Sequence, residues 1–290
     1  MPDLEIVTAL PKLPPRPRDG HKGTFGRVLV VAGSRGMSGA AILTGSGALR
    51  GGAGLVQVVC PREVQPVVAA GNPCYLTAGL ACDSDGHFAG AAEDQLIALA
   101  ERADVLAVGP GLGVTEGTIW LVRNLLERGG RPTVLDADGL NVLAPLEPGE
   151  LRGRADPLIL TPHPGELARL LGTSAAELLA DREARAVAFA ADQGVVLVLK
   201  GHQTLVTDGR RLYRNETGNP GMGTGGTGDV LTGLIAALLG QGLDPFAAAQ
   251  LGVFLHGRAG DLAAAELGEV SLTAADLPDY LPYAFRDRPA

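Results

Sequence analysis

The chain has 290 residues, 46% of them hydrophobic and 19% charged, with a formal net charge of −8. That length and apolar content are enough for a buried core and exclude an intrinsically disordered chain. The acidic balance excludes a general affinity for nucleic acid, which needs a field of Lys and Arg.

No apolar run, Val28–Ala32 and Val195–Leu199 included, approaches the roughly 20 residues of a membrane helix. The opening MPDLEIVTALPKLPPRPRDG has acids where a secretory signal carries bases, so a cytoplasmic protein without a membrane partner is expected. Cys60, Cys74 and Cys82 share no C-x-x-C spacing and read as incidental thiols. After a Pro-rich arm over residues 1–20, short apolar strands alternate with helical patterns. Strands are predicted at Arg27–Ala32, Leu55–Cys60, Asp104–Gly109, Thr133–Asp138, Leu158–His163 and Val195–Lys200. Helices are predicted after Gly39, over Ile119–Leu126 and Ala176–Asp192, from Gly228, and over Pro245–Glu266. The strands are continuous apolar runs, which marks a mostly parallel sheet covered on both faces. TLVTDG followed by RRLYRN reads as a hairpin at an edge of that sheet. Nothing divides the chain after the arm, so residues 21–290 are expected to form one α/β domain.

In such sheets ligands gather outside the carboxyl ends of the strands. Five unusual loops fall there: GSRGMSGAA, GPGLG, DADGLN, TPHPGE and KGHQT. A sixth, NPGMGTGGTGD, leads directly into an apolar helix beginning at Val230. N–H groups and the positive dipole end at a helix start favour an anion, and Gly225, Gly226 and Gly228 allow backbone to approach phosphate oxygens. Asp229 is out of place in an anion cradle: it is either a helix-start charge or a catalytic base. The loop lacks the G-x-x-x-x-G-K-[ST] of a P-loop. Lysine occurs only at positions 12, 22 and 200, so the ammonium of Lys200 at a strand end suggests a phosphate or ribose contact, against a cation facing solvent.

These segments in order, KGTFGRVLVVAGSRGMSGAA, VGPGLG, LDADGLN, ILTPHPGE, LKGHQT and NPGMGTGGTGDVLTG, resemble the ADP-dependent NAD(P)H-hydrate dehydratases of the ribokinase-like superfamily. The resemblance runs from about Lys22 to Asp261. It implies a ribokinase-like three-layer sandwich with a mostly parallel central sheet covered by helices on both faces. It also implies cofactor repair. The hydroxyl of hydrated NADH or NADPH (NADHX, NADPHX; the S-epimer) takes the terminal phosphoryl of ADP, and elimination of phosphate then restores the dihydronicotinamide, with AMP as the other product.

By the same resemblance, Asp229 is the base and touches the hydrated dinucleotide together with Ala40, Gly113 and His163. Lys200, Gly201, His202, Gln203, Thr204, Gly226, Thr227 and Gly228 hold the nucleotide. At Ala40 a small side chain leaves the helix end open to a ligand. Mg²⁺ is the expected cofactor. Glu166 either holds it through water or is a first-turn acid of the next helix. Bacterial members favour ADP, ATP remaining open, and a chain without a fused epimerase-like domain fits them. The family is commonly tetrameric, and the small-residue helix near Ala40 suits such an interface. Asp136 and Asp138 end a buried strand, where either would orient substrate or metal-bound water; Asn141 reads as bonded to its own turn and His256 as a core histidine. Lys22 is split between positioning a ligand and a surface contact, and His87 has no motif context. The competing readings are a kinase of a hydroxymethylpyrimidine or thiazole alcohol and a non-catalytic nucleotide sensor. The kinase would leave a stable phosphate ester, and the sensor has no need of Asp229.

Overall fold

A computed structural model describes residues 4–287. Its strands are β1 (Glu5–Ile6), β2 (Arg27–Val31), β3 (Leu55–Pro61), β4 (Leu76–Leu80) and β5 (Val105–Val108). They continue as β6 (Thr133–Leu135), β7 (Leu158–Leu160), β8 (Val196–Leu199), β9 (Leu205–Thr207) and β10 (Arg211–Arg214). The helices are α1 (Ser38–Arg50), α2 (Gln65–Gly71), α3 (Glu93–Ala100), α4 (Glu116–Arg128), α5 (Asp138–Asn141) and α6 (Pro164–Leu170). They are followed by α7 (Ala175–Ala180), α8 (Arg182–Gln193), α9 (Thr227–Gly240), α10 (Pro245–Leu267) and α11 (Leu277–Arg286).

All ten strands form one sheet in the order β1-β10-β9-β8-β7-β6-β5-β2-β3-β4, and only β9 runs against the rest. Alternation along each strand divides the core between two helical layers. Val28, Val30, Val105, Ala107, Val196 and Val198 face α1, α9, α10 and α11. Leu29, Val31, Leu106, Val108, Leu197 and Leu199 face α3, α4, α6 and α8. The first face takes the smaller side chains because its helices are themselves crowded. α9 is buried from Val230 to Leu239 and lies hard against α1. A Cβ on Gly233 would collide with the Thr44 carbonyl, and one on Gly47 with the Val230 carbonyl. Backbone cannot yield there, so Gly233→Ala is expected to cost about 1–3 kcal/mol, read from the urea midpoint. An unchanged midpoint would show that α1 and α9 separate freely.

The small face of α1 is therefore spent inside the chain, which corrects its reading as an interface surface. Three other expectations change. β4 and α3 lie in the stretch read only as a Pro-led segment, because LTAGL is a half-exposed edge strand without a continuous apolar run. The helix expected over Ala176–Asp192 is two, broken at Asp181, whose backbone is non-helical. The β9–β10 hairpin is not the edge, because β1 from the arm pairs alongside β10. The arm is further tied by Val7, Leu10 and Leu13 on the core, by Gln250 donating to the Ala9 carbonyl at 2.8 Å, and by Arg16 over the Phe25 ring.

Candidate active site

The loops singled out by sequence all emerge at the carboxyl ends of the parallel strands. At the end of β6, Ala137 takes a positive φ of 51°, a conformation that L-residues adopt only when their surroundings force it. That twist turns its two neighbours to different tasks. Asp136 is 1% exposed and accepts from Lys200 Nζ at 2.6 Å and from Thr232 Oγ1 of α9 at 2.8 Å. Asp138 accepts from the Gly113 N–H at 2.8 Å and from Asn141 Nδ2 at 3.2 Å. Asn141 thus bonds side chains, with its Oδ1 accepting from Arg169 Nε at 3.0 Å, and does not close its own turn.

Lys200 turns inward, with 21% of its side chain exposed. Its ammonium is held by Asp136, lies 4.0 Å from Glu166, and sits directly beneath Gly228, whose missing Cβ would stand 3.2 Å from Nζ. Burial pulls the Lys200 pKa down, but Asp136, Glu166 and Asp229 outweigh it, and the net direction is upward. Lys200 is a fixed positive charge under the start of α9.

The TPHPGE loop hides a capping box in which histidine replaces the usual Ser or Thr. His163 Nδ1 accepts from the Gly165 and Glu166 N–H groups at 3.0 and 3.3 Å, and Glu166 accepts from the His163 N–H at 2.7 Å. With Nδ1 an acceptor, the neutral ring carries its proton on Nε2, which is 3.5 Å from the second Glu166 oxygen. Glu166 is thus the first-turn acid that was the alternative to a metal contact, and it is 6% exposed. Among the described residues no three His, Cys, Asp or Glu side chains are grouped to hold a metal ion.

Across the site, Gly201 and Gln203 take positive φ values of 136° and 53° in the KGHQT loop. Arg182 of α8 holds that loop, donating to the carbonyls of His202 and Gln203, and Thr204 Oγ1 donates to the Gly201 carbonyl at 2.9 Å. Arg182 carried no sequence signal, since it lies within the helix predicted over Ala176–Asp192 and outside every loop motif.

The Gly-rich loop is braced from below. Thr227 Oγ1 lies 3.1 Å from the Met222 carbonyl, and Asp261 accepts from the Gly218 N–H and the Asn219 amide. His256, 9% exposed, donates from Nε2 to the Thr227 carbonyl at 2.8 Å. Burial is the main reason its pKa falls to about 4, so it is neutral and serves as a fixed prop under α9. The core histidine of the sequence reading is therefore part of the loop's foundation.

The three glycines differ. Gly226 needs its φ of 96°, and a Cβ there would meet Leu43 at 2.6 Å; Gly228 lies against Lys200. At Gly225 an added Cβ would have nothing within 4 Å, so of the three it alone faces open space. Ala40 lies beside the positive-φ turn at Gly111, where an added Cβ would stand 3.0 Å from the Ala40 methyl group. Gly113, with a φ of 74°, is covered by the His87 ring. Lys22 is remote from all of this, lining a 240 Å³ cavity with Arg27 and Arg102 where the strands begin.

Asp229 is the exception among these groups. It lies in the first turn of α9, yet its carboxylate has no hydrogen-bond partner among the described residues, and Gly226 is the N-cap. A structural cap would bind backbone N–H groups; this carboxylate does not. Burial, Asp136 and Asp138 raise its pKa, Lys200 opposes them, and the result is about 7. A half-buried carboxylate with no partner at a helix N-terminus, above a fixed ammonium, is equipped to take a proton near neutral pH.

One antiparallel strand in an otherwise parallel three-layer sandwich, with a glycine loop and an acid opening the central helix, is the ribokinase-like fold. The family model described as NAD(P)H-hydrate dehydratase matches residues 28–283, and the chain belongs to that family. A bifunctional NAD(P)H-hydrate repair enzyme of Moorella thermoacetica is 49% identical over 278 residues, covering 95% of this chain and 52% of that protein. The chain spans about half the length of several such bifunctional relatives. An ADP-dependent (S)-NAD(P)H-hydrate dehydratase of Xanthomonas campestris is 37% identical, covering 97% of this chain and 96% of that one. Among solved structures, the ADP/ATP-dependent NAD(P)H-hydrate dehydratase of Bacillus subtilis, co-crystallized with ATP/Mg²⁺, has a TM-score of 0.81 at 35% identity and covers 94% of each chain.

Proposed function

We propose that the chain, with residues 21–290 as its catalytic domain, dehydrates the S-epimer of hydrated NADH or NADPH to NAD(P)H at the expense of ADP, giving AMP and phosphate. The observation that carries this reading is the unpartnered Asp229 carboxylate, with a pKa of about 7, at the head of α9. Asp229 takes the proton of the ring hydroxyl as that oxygen attacks the terminal phosphorus of ADP. The bond from that phosphorus to AMP breaks. The phosphorylated ring then expels phosphate, a far better leaving group than water, and the neighbouring ring carbon gives up a proton to solvent as the ring double bond forms. Phosphoryl transfer asks mainly for positioning and charge neutralisation. The N–H groups from Gly225 to Gly228 and the Lys200 ammonium supply both from this chain. His163 Nε2–H, Gly113 and Ala40 line the dinucleotide side, and the Lys200–Thr204 loop receives the adenosine side.

The described residues offer no cage of carboxylates, so the donor set fits a Mg²⁺ carried in on the nucleotide phosphates, with Glu166 acting at most through water. Bound there, Mg²⁺ would neutralise phosphate charge. Cytoplasmic location and a homotetramer complete the reading. Among the described residues no helix is long and apolar enough to cross a membrane.

The test is a steady-state assay of hydrated NADH with ADP and ATP in turn, following recovery of the near-ultraviolet absorbance of NADH. No recovery, with a phosphate ester accumulating from a hydroxymethylpyrimidine or thiazole alcohol, would replace the dehydratase by the kinase. A second measurement addresses the cradle. Gly225→Val adds bulk only into open space, so melting temperature should hold while ADP affinity falls about tenfold or more, the worth of one good hydrogen bond. Unchanged ADP binding in calorimetry would remove the loop from the phosphate site.

A further inference from the structure

Two carboxylates and one ammonium interact at the start of α9: Asp136 from the end of β6, Lys200 from the end of β8 and Asp229 from the first turn of α9 itself. The ammonium has a choice of carboxylates. It is bonded to Asp136 at 2.6 Å, lies 4.0 Å from Glu166, and leaves Asp229 without a partner. Asp136 is fixed to hold it. That carboxylate is 1% exposed, its second oxygen accepts from Thr232 at 2.8 Å, and the strained Ala137 beside it sets its direction. A largely buried ammonium deprived of this partner would turn to another acid, because an unpaired charge with little access to water is costly.

We propose that Asp136 is a positioning residue whose carboxylate captures the Lys200 ammonium and so keeps it from pairing with Asp229. The inference rests on Asp229 being the base. A base already ion-paired to Lys200 is weaker and less available, so the two acids divide the work: one occupies the cation and the other stays free. The charged and titratable groups around Asp229 are Asp136, Asp138 of α5 and Lys200, with Glu166 of α6 and neutral His256 of α10 behind Lys200. In Asp136→Asn one negative neighbour is gone and the ammonium is released, and both changes favour ionised Asp229.

The test follows the Asp229 carboxylate by ¹³C NMR in ligand-free protein, its signal assigned by loss in Asp229→Asn. The parent should titrate near 7. Asp136→Asn should titrate about one unit lower or more, with the acid limb of turnover moving down alongside it and the plateau falling about tenfold. A midpoint equal to the parent's overturns the proposal. A merely structural role for Asp136 predicts loss of rate without that movement. If Asp136→Asn alone does not fold, Asp136→Ser is compared with Asp136→Ser combined with Lys200→Met. The single variant, with the ammonium released, should show the lower Asp229 midpoint, and equal midpoints overturn the proposal. The NMR readout needs no turnover. A parent that fails to repair hydrated NADH therefore sinks the functional reading without touching this result.

Discussion

Asp229→Asn is expected to lose about 10²–10⁴-fold in turnover, the usual worth of a general base. ADP binding should hold or tighten slightly, since a negative charge beside the phosphates is removed. The amide matches the carboxylate in size, and no hydrogen bond is lost, because the side chain makes none among the described residues. Stability moves in a direction that distinguishes this role from a cap. The folded pKa of about 7 lies above the ordinary carboxylate value, so the native state holds a proton that the unfolded chain gives up. Stability from this group is therefore full below about pH 4 and lost as pH rises toward 7. At pH 8 the ionised carboxylate strains the parent, and the Asn variant should melt at or above the parent's temperature. In the parent, kcat/KM should fall as pH drops below about 7, tenfold per unit once the base is mostly protonated. Near-normal turnover in Asp229→Asn, with a lowered melting temperature in Asp229→Ala, would return Asp229 to helix capping.

The apolar strands and the loops at their ends were legible in the sequence because each strand is covered on both faces and so reads as an unbroken apolar run. β4 was not, since an edge strand with a glycine and a threonine carries no such run. The break at Asp181 was hidden because the apolar pattern continues across it. In the site, sequence pointed to Asp229, Lys200 and His163 through unusual residue types in unusual loops. It could not assign their partners, because partnership is a matter of strand order. β6, β7 and β8 are neighbours in the sheet, and that adjacency joins Asp136, Glu166 and Lys200, which lie far apart along the chain. His256 and Arg182 escaped for a related reason: each is an ordinary helix residue whose role exists only where its helix meets a loop. Gly226 and Gly228, assigned in the sequence to phosphate approach, also lie against Leu43 and Lys200 inside the chain, a contact that no sequence pattern shows, while an added Cβ at Gly225 meets open space.

Lys200→Met is expected to be the most damaging change to stability, about 3–5 kcal/mol, because it strands a buried carboxylate instead of removing a surface pair. Asp136 is 1% exposed, and in the variant only the Thr232 hydroxyl would remain to it. Without the ammonium, Asp136, Glu166 and Asp229 also repel one another in a poorly solvated space. Lys200 is the one charge that opposes the raised Asp229 pKa of about 7, so its loss raises that pKa further. By the sign of the linkage, a raised carboxylate pKa makes stability fall as pH climbs from about 4 through it. The deficit against the parent should therefore be small in acid and grow toward pH 8. Adding Asp136→Asn to Lys200→Met neutralises the stranded partner and should recover most of the loss. Urea midpoints of the three proteins at pH 5 and pH 8 decide the matter. A deficit independent of pH, or one that the second substitution leaves in place, would mean that Lys200 stabilises the chain through its aliphatic packing and not through its charge.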